Sequence, residues 1–194
     1  MRCCGSTFWT GGILRYDTRD NPRYPGSGTV MELQPITGVF FTRESTAFQQ
    51  VALDVRHFVP LHPFPAPNPG RPAVLALRST ATLSTAATPR HTLPAMGGQR
   101  LLRGYAAHRF VANHAASLQA EFRMAVADRL TVVAFGAAGV AVDSLHQLLQ
   151  SELRYSGGGG LRLAMNRDRD VNLRLDTGFS PEGMRVYLTL MEAF

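Results

Sequence analysis

The stretch SLQAEFRMAV, Ser117 to Val126, changes chemical character at every residue. In an extended chain Leu118, Ala120, Phe122, Met124 and Val126 share one face, and Gln119, Glu121 and Arg123 share the other. The same period of two recurs in VNLRLDTGF, where Leu173, Leu175 and Thr177 oppose Asn172, Arg174, Asp176 and Gly178. It recurs again in FQQVALDVRHFV, where Val51, Leu53 and Val55 oppose Gln50, Asp54 and Arg56. Such alternation specifies β-strands buried on one side only. The polar faces are the unusual part. A soluble sandwich turns its polar face to water and decorates it with Lys, Glu and Thr, whereas these faces match Arg with Asp or Glu. Matched charges suit a polar interior enclosed by an apolar outer surface. Alternation by itself fits a soluble barrel as well as a membrane barrel.

About nine segments carry this pattern, near 11–19, 28–39, 48–60, 73–85, 117–127, 130–142, 152–166, 171–179 and 183–194. Helical signals are poor, and the best of them, DSLHQLLQSEL (143–153), is short. The connections fall into two alternating sets. Turns at 20–28, 61–72, 127–129 and 166–170 are rich in Pro, Gly, Asp and Asn. Between them come 40–49, the long segment 86–116, 143–151 and 180–183. Successive hairpins put their turns at opposite ends, so the two sets mark two rims of one antiparallel sheet. Short turns on one rim and longer loops on the other are the habit of outer-membrane barrels.

Composition narrows the partners and the chemistry. With 45% hydrophobic and 18% charged residues, the chain is of folding composition rather than disordered. No apolar run reaches the roughly 18 residues of a membrane-spanning helix, although barrel strands need only about 9–11 alternating residues. The net charge of +6 comes from arginine alone, for there is no lysine. These arginines are spread through strands, turns and loops beside acids instead of forming one patch, which argues against a nucleic-acid partner. Cys3 and Cys4 are adjacent and have no downstream partner, so no disulfide framework is expected. The histidines lack metal-site spacing, and Gly178–Ser180 lacks a nucleophile-elbow context. SGGGG (Ser156–Gly160) has no following Lys-Ser/Thr and no helix, so it is expected to be a Gly-rich, kinked strand and not a phosphate loop. Catalytic residues, metal and cofactors are all expected to be absent.

Three ordered stretches resemble the surface-antigen outer-membrane barrels of the BamA/TamA type. LRYDTRDNPRYPGSG (Leu14–Gly28) resembles that family's strand-to-periplasmic-turn signature, with Asp17, Arg19, Asp20, Pro22 and Gly28 as its motif residues. GGQRLLRGY (Gly97–Tyr105) is similar to its loop motif of apolar residue, Arg, Gly and aromatic. LRLDTGF to VYLTLMEAF (Leu173–Phe194) resembles its last two strands, with Tyr187 and the terminal Phe194 as the strand signal. The resemblance implies an all-β fold: an antiparallel transmembrane β-barrel sheet of about nine strands, the C-terminal portion of a barrel of about sixteen. It covers residues 11–194, with a lumen loop over about 86–116, and leaves 1–10 as an unstructured or artefactual N-terminus.

The resemblance also implies a location in the bacterial outer membrane and a role in inserting, assembling or translocating proteins. Its implied partners are outer-membrane lipid, client barrels or exported polypeptides, and either assembly-complex subunits or a second chain completing the barrel. Because no signal peptide is present, an N-terminally truncated form is expected. The alternative role is a non-catalytic barrel anchor or exporter for an N-terminal passenger domain, and a soluble β-sandwich is the third reading. In the implied loop, Arg103 is a permanent cation that needs a carboxylate inside a lumen. Gly104 permits a bend or close approach, and Tyr105 packs its ring while its hydroxyl stays hydrogen-bonded. Together these three residues are the expected lock. The family's usual acid lies in a Phe-x-Asp-x-Gly motif, but here that place is FGAAG, with Ala137 where Asp is expected. The expected partners of Arg103 are therefore Asp176 first and Glu121 second.

Overall fold

The computed structural model describes residues 5–41, 45–62, 72–148, 150–166 and 171–190. The expectations attached to Cys3, Cys4, Phe194 and the turn stretches 63–71 and 167–170 lie outside the described residues. Strands β1 (Ser6–Gly11), β2 (Leu14–Asp17), β3 (Gly28–Phe41), β4 (Ser45–Leu61) and β5 (Ala73–Ser84) build the first half of the main sheet. A small ribbon, β6 (Ala95–Met96) with β7 (Phe110–Val111), interrupts the series. The sheet then resumes with β8 (His114–Ala125), β9 (Leu130–Val142), β10 (Arg154–Asn166), β11 (Val171–Ser180) and β12 (Gly183–Leu190).

Neighbours in sequence are neighbours in space throughout, in the order β1-β3-β4-β5-β8-β9-β10-β11-β12, and every pairing is antiparallel. β2 shares the edge of β3 with β1, so the sheet is nine strand positions wide. The expected nine segments are these positions, with one difference. The first segment is split and starts earlier. Residues 6–10, expected to lie outside the sheet, form most of β1, and a gap separates β1 from β2. The gap lies opposite Pro35: β1 pairs with Ile36–Phe41 and β2 with Val30–Leu33. Proline has no N–H to give the ladder. The Gly12 N–H instead donates to the Pro35 carbonyl at 3.2 Å, carrying the chain across the gap. The connection 143–151 is a loop, as expected from its poor helical signal, and among its described residues a 3-10 turn, Leu145–Gln147, forms. Its Ser144 N-cap makes no side-chain capping bond. Among the described residues, no helix is long and apolar enough to cross a membrane.

The facing is the inverse of a soluble domain. Glu121 and Asp176 are 0% exposed, whereas Leu118, Leu188 and Met184 are 65%, 67% and 60% exposed. The alternation places Leu, Val, Met and aromatic residues on the outer face in an almost continuous apolar sheet, far larger than water tolerates on a monomer. At ~25 cal/mol per Å² of apolar surface, such a face is stable only when lipid or protein covers it.

Candidate functional site: the arginine loop against the inner face

The connection 85–113 leaves the sheet between β5 and β8 and folds back over the polar face. Its base is closed by the β6–β7 ribbon, and the Gly98 N–H donates to the Tyr105 carbonyl at 3.2 Å, closing the tip. Met96, Leu102 and Tyr105 form a small buried core, joined by Leu101, Phe110, Ala115, Ala137 and Ala141. The Tyr105 ring meets Phe110 edge-on at 5.0 Å. Ala137, where the family pattern has an acid, thus supplies a methyl to the loop's apolar seat.

Beside that core, Arg103 drives its guanidinium into the wall. Nη2 lies 2.6 Å from Glu121 on β8, and Nη1 lies 2.9 Å from Asp176 on β11. Both expected partners are engaged at once. The Arg103 guanidinium also sits over the Phe135 ring, 3.6 Å from its centroid. Three more arginines complete the cluster. Arg123 donates to Glu121 at 2.8 Å, Arg174 pairs with Asp176 at 2.5 Å, and Arg162 pairs closely with Asp176 while reaching Glu121 at 3.6 Å. Four guanidinium groups therefore surround two carboxylates, and all six side chains are at most 2% exposed. In such surroundings each charge depends on the others, because water is not there to replace a lost partner.

Arg123 and Arg174 were legible as inner-face residues but not as parts of one site, and Arg162 was not singled out. The strand positions of Glu121 and Asp176 are separated by β9 and β10, and Arg103 and Arg162, each reaching both carboxylates, join them in a way no local pattern encodes. The SGGGG stretch lies in a strand, β10, as expected, and its glycines leave room for neighbours. A Cβ on Gly160 would fall 2.1 Å from the Asp176 carboxylate, and one on Gly158 would fall 2.7 Å from the Phe135 ring. The two inward glycines are the space that Asp176 and Phe135 occupy. Their position, sharing parity with Arg162 on a strand, is the signal that could have pointed there.

The loop backbone is held as closely as its arginine. Gly104 has φ +113°, and a Cβ there would lie 2.8 Å from the Phe179 backbone. From the other side, a Cβ on Gly178 would lie 2.7 Å from the Arg103 carbonyl carbon. Two glycines thus let loop and strand backbones touch. The Gly104 N–H donates to the Tyr187 hydroxyl at 3.1 Å, and that hydroxyl donates to the Tyr105 carbonyl at 3.0 Å. Ser180 donates to the Gly104 carbonyl at 3.1 Å, and Arg174 donates to the Gln99 carbonyl at 3.0 Å. Tyr187, expected as a strand-end signal, is in direct contact with the loop.

At the opposite rim, the turn motif is a hydrogen-bonded knot. Asp17 takes Arg15 and Arg19 at 2.6 and 2.8 Å. Arg19 also donates to the Pro22 carbonyl at 2.9 Å. The Asp20 carboxylate accepts the backbone N–H groups of Asn21, Gly26 and Ser27 at 2.8, 3.0 and 3.1 Å. Gly28, at φ +102°, leaves room for the Thr18 carbonyl, which a Cβ would approach to 2.3 Å. The turn reaches inward far enough for Tyr24 to donate to Thr131 on β9 at 3.4 Å, and Pro25 is buried. Burial raises the Asp20 pKa, but the three backbone donors outweigh it and hold the carboxyl below the usual carboxylate range. Among the described residues, no group of three or more His, Cys, Asp or Glu could hold a metal ion.

No protein-family model matches the sequence, and no curated protein does. Among solved structures, the chain is similar to the crystal structure of BamA from Haemophilus ducreyi lacking POTRA domains 1-3, with a TM-score of 0.69 at 13% sequence identity. The match covers 95% of this chain and 41% of that one, so the chain spans less than half the length of the structure it resembles. The similarity runs over nearly the whole of this chain, a nine-position antiparallel sheet charged within and apolar without: the chain has the fold of part of a BamA-like barrel.

Proposed function

We propose that this chain is wall and lock of a bacterial outer-membrane barrel that serves the insertion, assembly or translocation of other proteins. The observation that carries the reading is Arg103, brought by a long loop to two buried wall carboxylates 2.6 and 2.9 Å away. A barrel that served only as an anchor would have little need to pin a loop across its inner face with fully desolvated charges. A barrel that handles polypeptides must keep its interior shut at rest, and a charge-assisted pin does this with geometric specificity. The outer face supports the location in lipid. Outer-membrane lipid and client polypeptides are then the partners, with assembly subunits or a second chain meeting the sheet's edges. Arg103, Gly104 and Tyr105 are the lock, Asp176 and Glu121 its receivers, and Asp17 to Gly28 the turn that closes the opposite rim.

The test is an Arg103→Ala variant in the protein's native cell envelope. It is expected to reach the outer membrane at normal level, expose the loop to external protease, and lower the yield of other folded barrels. Normal barrel assembly with an exposed loop would sink the assembly role. If a fused passenger then failed to reach the surface, the anchor or exporter role would replace it.

A further inference from the structure

The loop's apolar residues and one arm of Arg103 rest on β8 and β9, but among the described residues its polar contacts concentrate on one hairpin. Arg103 pairs with Asp176 on β11, and Arg174 of β11 donates to the Gln99 carbonyl. Gly104 lies against the backbone of Phe179 and Gly178, and Ser180 donates to its carbonyl. The Tyr187 hydroxyl, on β12, is shared between Gly104 and Tyr105. Arg109 pairs with Glu182 in the β11–β12 turn at 3.0 Å. β12 itself is the edge of the sheet, laddered to β11 alone among the described residues. Its outer residues Met184, Val186 and Leu188 are 58–67% exposed.

From this pattern we infer that the loop is a brace for the β11–β12 hairpin, so that release of the loop and loosening of β12 are one coupled event. A strand laddered on one side opens locally at a free energy set by that ladder and by whatever else grips it. Here the second grip is the loop, through the hydroxyl of Tyr187 and the turn pair Arg109–Glu182. Coupling of this kind is reciprocal: whatever frees the loop weakens the hold on β12, and whatever pulls β12 away loosens the loop. Tyr187 is the positioning residue, since its one hydroxyl accepts from the loop and donates to it.

The inference deepens the lock reading, but its test needs no client and so fails or succeeds separately from that reading. Hydrogen exchange is measured on the full chain in detergent micelles, for the parent and for Tyr187→Phe, which keeps the ring and removes two hydrogen bonds. Amides of the β11–β12 ladder and of loop residues 96–110 are expected to exchange together, roughly three- to tenfold faster, the range of losing a neutral hydrogen bond. The β8–β9 ladder should be unchanged. A second arm ties loop to hairpin covalently. Arg109→Cys and Glu182→Cys are joined by a short bifunctional thiol reagent in a chain with Cys3 and Cys4 changed to Ser. In the Tyr187→Phe background this link is expected to restore hairpin protection. Faster exchange in the loop alone, no change in either segment, or a cross-link that leaves β12 as exposed as before would each overturn the brace.

Discussion

Two clusters of arginine and carboxylate lie on the same inner face and differ in what covers them. One is Glu121 and Asp176 with Arg103, Arg123, Arg162 and Arg174, none more than 2% exposed. The other is Glu32 and Asp54 with Arg15, Arg56 and Arg78, exposed by 11–45%. Both are built by the same means. Cross-strand register sets Glu32 beside Asp54 and Arg56 beside Arg78, just as it sets Arg162 beside Arg174. The distances are alike too, with Arg78 to Asp54 at 2.5 Å and Arg174 to Asp176 at 2.5 Å. What separates them is how the loop tip meets each: it drives Arg103 into the first and shuts it from water, while at the second the Arg100 carbonyl accepts from Arg78 at 3.4 Å beside an open cavity. Short distance alone is therefore a poor guide to strength: a solvent-exposed pair contributes about 0–1 kcal/mol, stranding one partner of a fully buried set costs about 3–5 kcal/mol, and the partly exposed second cluster falls between them.

The largest expected effect follows from that contrast. Asp176→Ala takes a carboxylate from three buried guanidinium groups, leaving Arg103 and Arg162 only Glu121 and Arg174 no carboxylate within the cluster, and should lower stability by about 3–5 kcal/mol, read as a fall in the urea midpoint for loss of the heat-modifiable band. Asp54→Ala, its counterpart in the more open cluster, should cost less, about 1–2 kcal/mol, because water can reach the arginines it leaves behind. Equal losses would show that burial does not distinguish the clusters. Next comes the backbone contact. Gly178→Val places side-chain atoms where the Arg103–Gly104 peptide lies, and overpacking of this kind costs about 1–3 kcal/mol. Because Gly178 touches the loop and not the open cluster, loop proteolysis should rise while the Asp54 region keeps its exchange protection. Uniform unfolding would mean the loop is integral to the wall.

The faces of the strands were open to sequence reading because period two is a local property. Each of Glu121, Arg123, Arg174 and Asp176 fell on the polar side by simple alternation. That Arg103 would need a carboxylate also followed, since a guanidinium cannot shed its charge and, once buried, must have it balanced. What did not follow was convergence. Residues on β8, β10 and β11 meet because Arg103, carried in by the loop, and Arg162 each span two carboxylates, and that depends on how every strand between them is placed. The role of Ala137 was hidden for the same reason: a missing acid can be noticed in a sequence, but not that Met96, Leu102 and Tyr105 would settle over the methyl group instead. The split of the first strand was closer to the surface, because Pro35 lies in the next strand and leaves one ladder bond unmade.

A smaller effect separates the clusters by solvent. Raising salt from low to physiological levels screens exposed pairs within a Debye length of about 8–10 Å and leaves desolvated ones nearly untouched. The stability difference between the parent and Arg78→Ala should shrink with added salt, whereas that between the parent and Arg162→Ala should not. A common salt response in both would place water inside the buried cluster.

The smallest effect comes from a carboxylate held without arginine. Asp20 is fixed by three backbone N–H groups in the rim turn, and its pKa lies below the usual carboxylate range. A depressed folded pKa means that the charged form is the one the fold prefers. Its contribution is therefore complete above the unfolded value near 3.9 and is lost as pH falls below it toward the folded value. Acidification from about pH 5 toward pH 3 should speed exchange at the Gly26 and Ser27 amides first. Asp20→Asn keeps a carbonyl acceptor but carries no charge, so it should start with weaker protection and show little further loss over that range. If the variant showed the same acid-dependent loss as the parent, the titrating group would be another carboxylate and not Asp20. The two arginine clusters would then have to be compared at their own rims.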